Sequence, residues 1–103
     1  MKIEIKGKPY KVVLKDDTFI SGDNAVWGCI DYNKKEISIT TKEEKETPKT
    51  VLHELIHGYL YECGLTVYAH DETLVEWFAR HFEDISKSAI EIVSHIEKNK
   101  AKE

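Results

Sequence analysis

Two histidines and a glutamate in the segment His53-Glu54-Leu55-Ile56-His57 carry the clearest chemical signal in this chain. On an α-helix, residues four apart lie on one face, one turn apart, so His53 and His57 can both reach one metal ion. Glu54 points about 100° away from His53. From there the Glu54 carboxylate can reach a water bound to the ion, but it is not placed to bind the ion as the two histidines do. This arrangement is typical of zinc hydrolases, in which the glutamate is the general base.

The length and composition of the chain predict one small globular domain, residues 1–103. The sequence is 41% hydrophobic and has a formal net charge of −4. This acidic balance argues against nucleic acid or an anionic membrane surface as the main partner. No apolar run approaches the roughly 20 residues of a membrane span. Residues 1–6 alternate charged and apolar side chains, unlike a signal peptide, which favours a cytoplasmic location.

The two cysteines, Cys29 and Cys63, are expected to be reduced and buried, and to behave as small apolar residues. Cys63 follows His57 near the expected end of the helix and points away from the histidine face. The sequence therefore disfavours a metal-ligand role for either cysteine.

Alternating apolar residues and turn signals predict a strand-rich first half, residues 1–46. Four strands are expected, at residues 2–6, 10–14, 25–32 and 36–40. The last two are expected to pair as a hairpin, and residues 19–24 are expected to form a loop. The strand at residues 36–40 is also the candidate for a sheet edge beside the metal, where an extended peptide could add as a further strand.

The second half, residues 47–103, is predicted to be helical. Thr47 is the expected N-cap and Pro48 the first residue of the helix that carries the histidines. Gly64 is the expected left-handed residue that ends this helix. Together the two halves predict an α+β fold with a small antiparallel N-terminal sheet of three to four strands.

A second helix is expected to follow a short loop at residues 65–70, with Asp71 as its cap. Its apolar residues recur every three or four positions, which predicts one long C-terminal helix or a helix pair divided near residues 86–88. This helix is the expected source of the third metal ligand, because a catalytic zinc ion commonly has three protein ligands and a water.

Glu72 and Glu76 are the candidates for that third ligand, since they lie four residues apart on one face of the second helix. One can bind the ion while the other orients a ligand histidine through its second ring nitrogen. If both were only solvated acids near a helix N-terminus, the site would lack a third ligand. The distance along the chain from His57 suits Glu76, so these observations leave the choice between the two open.

The block from residue 51 to residue 79 resembles the ImmA/IrrE family of metallopeptidases, especially small versions encoded by phages and mobile elements of Gram-positive bacteria. The matching residues are His53-Glu54-Leu55-Ile56-His57 and Glu72-x-x-Val75-x-x-Phe78-Ala79. The family pattern has alanine where this chain has Val75, and its leading glutamate is a metal ligand. The resemblance therefore implies Glu72 as the third ligand and a minimal zincin-like architecture. Glu76 is then the residue that orients a ligand histidine, or the alternative ligand.

The resemblance also implies a zinc metalloendopeptidase that holds one Zn²⁺ through His53, His57 and Glu72, with Glu54 as the catalytic base. Its substrate would be a protein or peptide, such as a phage or mobile-element repressor. Histidine and carboxylate ligands also accept manganese and iron. Four residues are candidate donors to the oxyanion of the reaction: Tyr61, Tyr68, His70 and His81.

Two functions of another class are compatible with the same residues. In the first, the domain is a non-catalytic interaction module that uses the ion to stabilise its fold. In the second, the protein is an antitoxin or host-takeover factor that acts by binding alone. A bound water beside Glu54 favours catalysis, whereas a fully ligated, closed site favours a structural role.

Overall fold

The computed structural model describes residues 1–101, in which a strand-rich half precedes a helical half. Six strands lie in these residues: β1 (Lys2–Ile5), β2 (Lys8–Lys15), β3 (Phe19–Ser21), β4 (Asn24–Val26), β5 (Gly28–Asp31) and β6 (Glu36–Thr40). The helices are α1 (Thr47–Glu62), α2 (Thr66–Ala69) and α3 (Glu72–Ala101). The predicted α+β class, with a small N-terminal sheet and a long C-terminal helix, is confirmed.

Four of the strands form one sheet in the order β1-β2-β6-β5. The outer pairs, β1–β2 and β5–β6, are antiparallel, as expected for hairpins, whereas β2 and β6 run parallel. Strand β6 is therefore internal, because β2 pairs with one side of it and β5 with the other. The expectation that residues 36–40 form the edge beside the metal was wrong; β5 is the edge strand on that side.

Two local predictions in the first half were also wrong. Residues 19–24 are not a loop, because β3 and β4 pair across a tight turn at Gly22, whose φ of 64° suits glycine. The predicted strand at residues 25–32 is two strands, β4 and β5, which belong to different sheets. The alternation of side chains along that stretch does not reveal which partner each strand pairs with.

The helical half follows the prediction with three local differences. Glu46, rather than Thr47, is the N-cap of α1, because the Thr47 hydroxyl donates to the Glu43 carbonyl at 2.9 Å. A short helix, α2, occupies most of the predicted loop at residues 65–70. Helix α3 runs through residues 86–88 without a break. Among residues 1–101, no helix combines the length and apolarity that a membrane crossing requires.

The core lies between the sheet and α1. Ile5, Tyr10, Ile37 and Ile39 are buried together, and Leu55 of α1 packs against them. The C-terminal end of α1 is fastened to the sheet by Glu62, which accepts hydrogen bonds from the Tyr10 hydroxyl at 2.5 Å and the Lys35 ammonium at 2.6 Å. This contact and the core together orient the histidine turn of α1 above β5.

Truncation of a buried isoleucine should destabilise the protein more than truncation of an exposed isoleucine. Ile39→Ala removes a side chain that is 1% exposed and should lower the free energy of unfolding by about 2–5 kcal/mol. Ile20→Ala makes the same change at a side chain that is 70% exposed and should alter it by less than about 0.5 kcal/mol. Urea unfolding followed by circular dichroism measures both; equal losses would contradict the assigned core.

Candidate metal centre

The connection between α1 and α3 places the first turn of α3 beside the middle of α1. Gly64 ends α1 with a φ of 81°, as predicted for a left-handed residue at that point. Asp71 caps α3, since its carboxylate accepts a hydrogen bond from the Leu74 amide at 3.0 Å. The chain between these two residues is short and includes α2. The acidic first turn of α3 is consequently brought to the histidine face of α1.

Three predicted ligands meet at this point. Glu72 Oε2 lies 3.0 Å from His53 Nε2, and Glu72 Oε1 lies 3.1 Å from His57 Nε2. The two Nε2 atoms are 3.2 Å apart. The candidate ligand atoms of the three residues all lie within 4.8 Å of one another, so His53, His57 and Glu72 could hold a metal ion.

The second ring nitrogen of each histidine has its own partner. His53 Nδ1 donates to Glu76 Oε2 at 2.9 Å, and His57 Nδ1 donates to the Ala69 carbonyl at 2.5 Å. We assign the proton to Nδ1 in both rings because a carboxylate and a carbonyl can only accept. Both Nε2 lone pairs then point towards Glu72, which is the tautomer that a metal-binding histidine needs.

Glu76 is itself fixed in place by a cation. The Arg80 guanidinium donates to Glu76 Oε1 at 2.8 Å, and this hydrogen bond, followed by the one from His53, holds the pKa of Glu76 below its usual range. Glu76 therefore stays ionised, with one oxygen on Arg80 and the other on His53. In this geometry Glu76 orients a histidine, while Glu72 faces both Nε2 atoms.

The convergence of His53, His57 and Glu72 is electrostatically unfavourable without a positive charge between them. Two lone pairs and a carboxylate converge on one small volume, where they repel one another unless a cation is shared. Protonation of both rings would place two imidazolium groups side by side, which is also repulsive. Two imidazole nitrogens with one carboxylate form a donor set that Zn²⁺, Mn²⁺ and Fe²⁺ accept. The Glu72 side chain is 71% exposed, so the centre faces solvent.

Glu54 lies beneath this centre and is only 6% exposed. Burial, supported by the negative charge of Glu72 and opposed by His53, raises the pKa of Glu54 to about 7. A cation held by the histidines would lower that value. The carboxylate has room because residue 28 is glycine: a β-carbon there would lie 3.1 Å from Glu54 Oε2 and 2.6 Å from Thr50 Cγ2.

A cleft extends to both sides of the centre. Two cavities of about 410 and 520 Å³ share Gly28, His53 and Glu54 in their walls. The first continues past Trp27 towards Arg80, and the second continues along β5. The candidate metal centre thus lies where the two cavities of this groove meet.

Of the four expected oxyanion donors, the structure places only His70 in the wall of these cavities. Tyr61 stacks on Tyr32 with ring centroids 4.1 Å apart, and His81 packs against Trp77 on the outside of α3. Tyr68 is exposed on α2 and lines neither cavity. Three of the four predicted donors are therefore outside the groove.

Tyr32 is a residue that sequence reasoning missed. It follows β5 and lines the larger cavity together with the two histidines and Glu72. Burial, and then the negative charge of Glu54, raises the pKa of Tyr32 to about 12, so its hydroxyl stays a donor at neutral pH. No local pattern marks it, since a tyrosine at a strand end is common. Only the packing of β5 against α1 brings it to the site.

The cysteines take different positions. Cys29 is half-buried on β5 and lines the larger cavity. The predicted burial of Cys63 was wrong, because this residue caps the C-terminal end of α1, where its side chain is exposed. Both are free thiols. Burial raises the pKa of the Cys29 thiol, which keeps it protonated and poorly suited to metal ligation.

Comparison with known proteins gives no match: no family model, curated protein or solved structure is similar to this chain. The chemistry assigned to the centre therefore depends on its own geometry.

Metal affinity should distinguish the roles of the two glutamates. With Zn²⁺ as the probe, Glu76→Gln should weaken binding by about 10- to 100-fold because His53 loses its charged partner. Glu72→Gln should weaken it more, because a neutral amide replaces the charged carboxylate that binds the ion. Glu83→Gln changes an exposed glutamate of the same helix, paired with Lys87, and should leave the affinity unchanged. Calorimetric titration measures all three, and a larger loss for Glu76→Gln than for Glu72→Gln would reverse the assignment.

Proposed function

We propose that the protein is a zinc-dependent metallopeptidase that hydrolyses a peptide bond of a protein substrate. The observation that carries this proposal is the convergence of His53, His57 and Glu72 in front of a buried glutamate that is not part of the ligand set. A carboxylate held out of water beside an open metal centre is poised to accept a proton. The resemblance of residues 53–57 and 72–79 to the ImmA/IrrE family supports the same reaction.

The proposed chemistry divides between the ion and the chain. A bound Zn²⁺ would supply Lewis-acid activation of the attacking water and of the scissile carbonyl. Glu54 takes the proton from the water as the water attacks, and returns it to the nitrogen of the leaving amine. Glu76 and the Ala69 carbonyl keep the two histidines in their ligating tautomer throughout.

Two side chains can stabilise the oxygen that becomes negative during the attack. Tyr32 and His70 both lie in the wall of the larger cavity beside His57 and Glu72. The Tyr32 hydroxyl is also within 3.5 Å of the Ala69 carbonyl, from which it can turn towards a substrate. A neutral hydroxyl donates to the oxyanion without adding a charge that would compete for Glu72.

The edge strand supports binding of an extended peptide. Strand β5 has β6 on one side only, so its other edge offers main-chain donors and acceptors. The larger cavity follows this edge along β5, and the other meets the edge at Gly28 and continues past Trp27 on the far side of the centre. A peptide added as a further strand would cross the centre in the middle of its length, as cleavage inside a chain requires.

The open coordination supports catalysis over the alternative of a metal-stabilised interaction module. Structural zinc sites commonly use four protein ligands and are closed to solvent, whereas the group here has three and an exposed Glu72. The proposed substrate, a regulatory protein such as a phage or mobile-element repressor, comes from the family resemblance. The groove supports only the broader class, a protein segment that can become extended.

Substitution of Glu54 should separate catalysis from metal binding. Glu54→Gln keeps the size of the side chain but removes the base, so cleavage should fall by about 10²- to 10⁴-fold while Zn²⁺ affinity and helicity are kept. Proteolysis of repressor-type regulatory proteins and of unfolded casein is followed by mass spectrometry, with Glu83→Gln, at an exposed residue outside the groove, as the control. Equal cleavage by Glu54→Gln and the natural chain would show that Glu54 is not the base.

Removal of one hydroxyl should test the oxyanion donor. Tyr32→Phe keeps the ring that stacks on Tyr61 but removes the proposed donor, so kcat should fall by about 10²-fold with little change in KM. Tyr59→Phe makes the same change on the exposed face of α1 and should not affect kcat. If kcat is unchanged in Tyr32→Phe but falls in His70→Ala, His70 is the donor instead.

A further inference from the structure

The distal part of α3 extends beyond the rest of the fold. Every residue from 87 to 101 is exposed, and the longest axis of the molecule is 59 Å against 31 and 28 Å for the other two. In residues 1–101, no element packs around this segment closely enough to bury any of it. Helices with many apolar residues are normally stabilised by packing rather than by propensity alone. The distal segment therefore has an apolar surface that the described chain does not cover.

One row of apolar residues begins in the middle of α3 and continues along this segment, with Ile90 and Val93 outside it. We call this row the α3 stripe; its members are Phe78, Phe82, Ile85, Ala89, Ile92 and Ile96. Their spacing alternates strictly between four and three residues, which is a period of 3.5. The five larger members are between 38% and 61% exposed. Large side chains at this exposure form a continuous patch rather than scattered surface residues.

The period of the stripe indicates the shape of its partner. On a straight helix, a 3.5-residue repeat drifts by about 20° every heptad, and it stays on one side only when two helices coil around each other. A helix that packs on its own sheet needs no such repeat. The α3 stripe thus has the spacing of a coiled-coil seam, with Phe82, Ala89 and Ile96 in one set of core positions and Phe78, Ile85 and Ile92 in the other.

Charge on α3 is compatible with a second copy of the same chain. The positions that flank the stripe between residues 79 and 95 carry no aspartate, glutamate, lysine or arginine; they are Ala79, His81, Ser86, Ser88, Val93 and His95. The charged residues from Arg80 to Lys98 lie on the outer positions of the helix. Two identical seams can therefore meet without like charges facing each other. In coiled coils, repulsion between like charges at these flanking positions opposes the pairing of identical helices.

The dipoles of the two helices favour an antiparallel pair. An antiparallel arrangement opposes the dipoles, whereas a parallel arrangement aligns them. The charged side chains favour neither orientation, because Arg80 and Lys87 lie beside Glu83 and Asp84, and Glu97 lies beside the lysines at the end of the helix.

We propose that the α3 stripe pairs with the stripe of a second copy, so that the protein forms an antiparallel coiled-coil dimer. Pairing would remove on the order of 1,000 Å² of surface, which is near the lower limit for a specific interface. The stripe is turned by roughly 140° from the helix face that carries Glu72 and Glu76. The metal centre consequently stays open in the dimer, and the proposal does not depend on the proposed function.

The oligomeric state of the full chain tests this proposal. Sedimentation equilibrium at micromolar concentration should give twice the mass of one chain. Ile92→Glu introduces a charge into the seam, in a segment that is remote from the core, and should give a monomer. Ile90→Glu makes the same change two residues away, at a 65% exposed residue outside the stripe, and should remain dimeric.

Two results would overturn the proposal. One is a natural chain that remains monomeric at the highest soluble concentration; the other is a dimer that Ile92→Glu leaves intact. Small-angle X-ray scattering tests the orientation. An antiparallel dimer that overlaps over the distal segment should be roughly 90 Å long, as estimated from 1.5 Å per helical residue, against 59 Å for one chain. A dimer no longer than one chain would exclude the antiparallel arrangement.

Discussion

Helix α1 can lie against the sheet as closely as it does only because Gly28 and Gly58 carry no side chains. A β-carbon on Gly58 would be 2.8 Å from Ile5 Cδ1, and one on Gly28 would be 2.6 Å from Thr50 Cγ2. Both distances are shorter than carbon atoms tolerate in a packed interior. This close approach buries Glu54 against β5 and turns the histidines towards the start of α3. The metal centre and the groove both depend on it.

The same packing explains why the histidines are preorganised. Each Nδ1 donates to an acceptor that belongs to a later part of the chain, Glu76 for His53 and the Ala69 carbonyl for His57. With these protons placed, both Nε2 lone pairs face Glu72 before any ion is bound. A metal ion therefore enters a set of ligands that is already oriented, and less conformational entropy is lost on binding.

Much of the fold could be predicted because its signals are local. The hairpin of β5 and β6, the Gly64 end of α1 and the Asp71 cap of α3 each depend on a few neighbouring residues. The error that most affects the site, the position of β6 in the sheet, comes from pairing between distant segments. Nothing near residues 36–40 indicates that β6 lies between β2 and β5, because parallel strands are brought together by the whole chain between them.

The sequence by itself determined which residues have the chemistry of a metal centre. The spacing of His53 and His57 fixes their common face through helix geometry, and Glu54 follows from the same turn. Tertiary structure alone shows what Glu72 and Glu76 reach, since both lie on one face of α3: Glu72 faces both Nε2 atoms, and Glu76 lies between Arg80 and His53. It also brought Tyr32 and the Ala69 carbonyl to the site. Helical periodicity determines the side of its own helix on which a residue lies. A set of metal ligands also requires short distances between different elements, and those distances arise only when the elements pack.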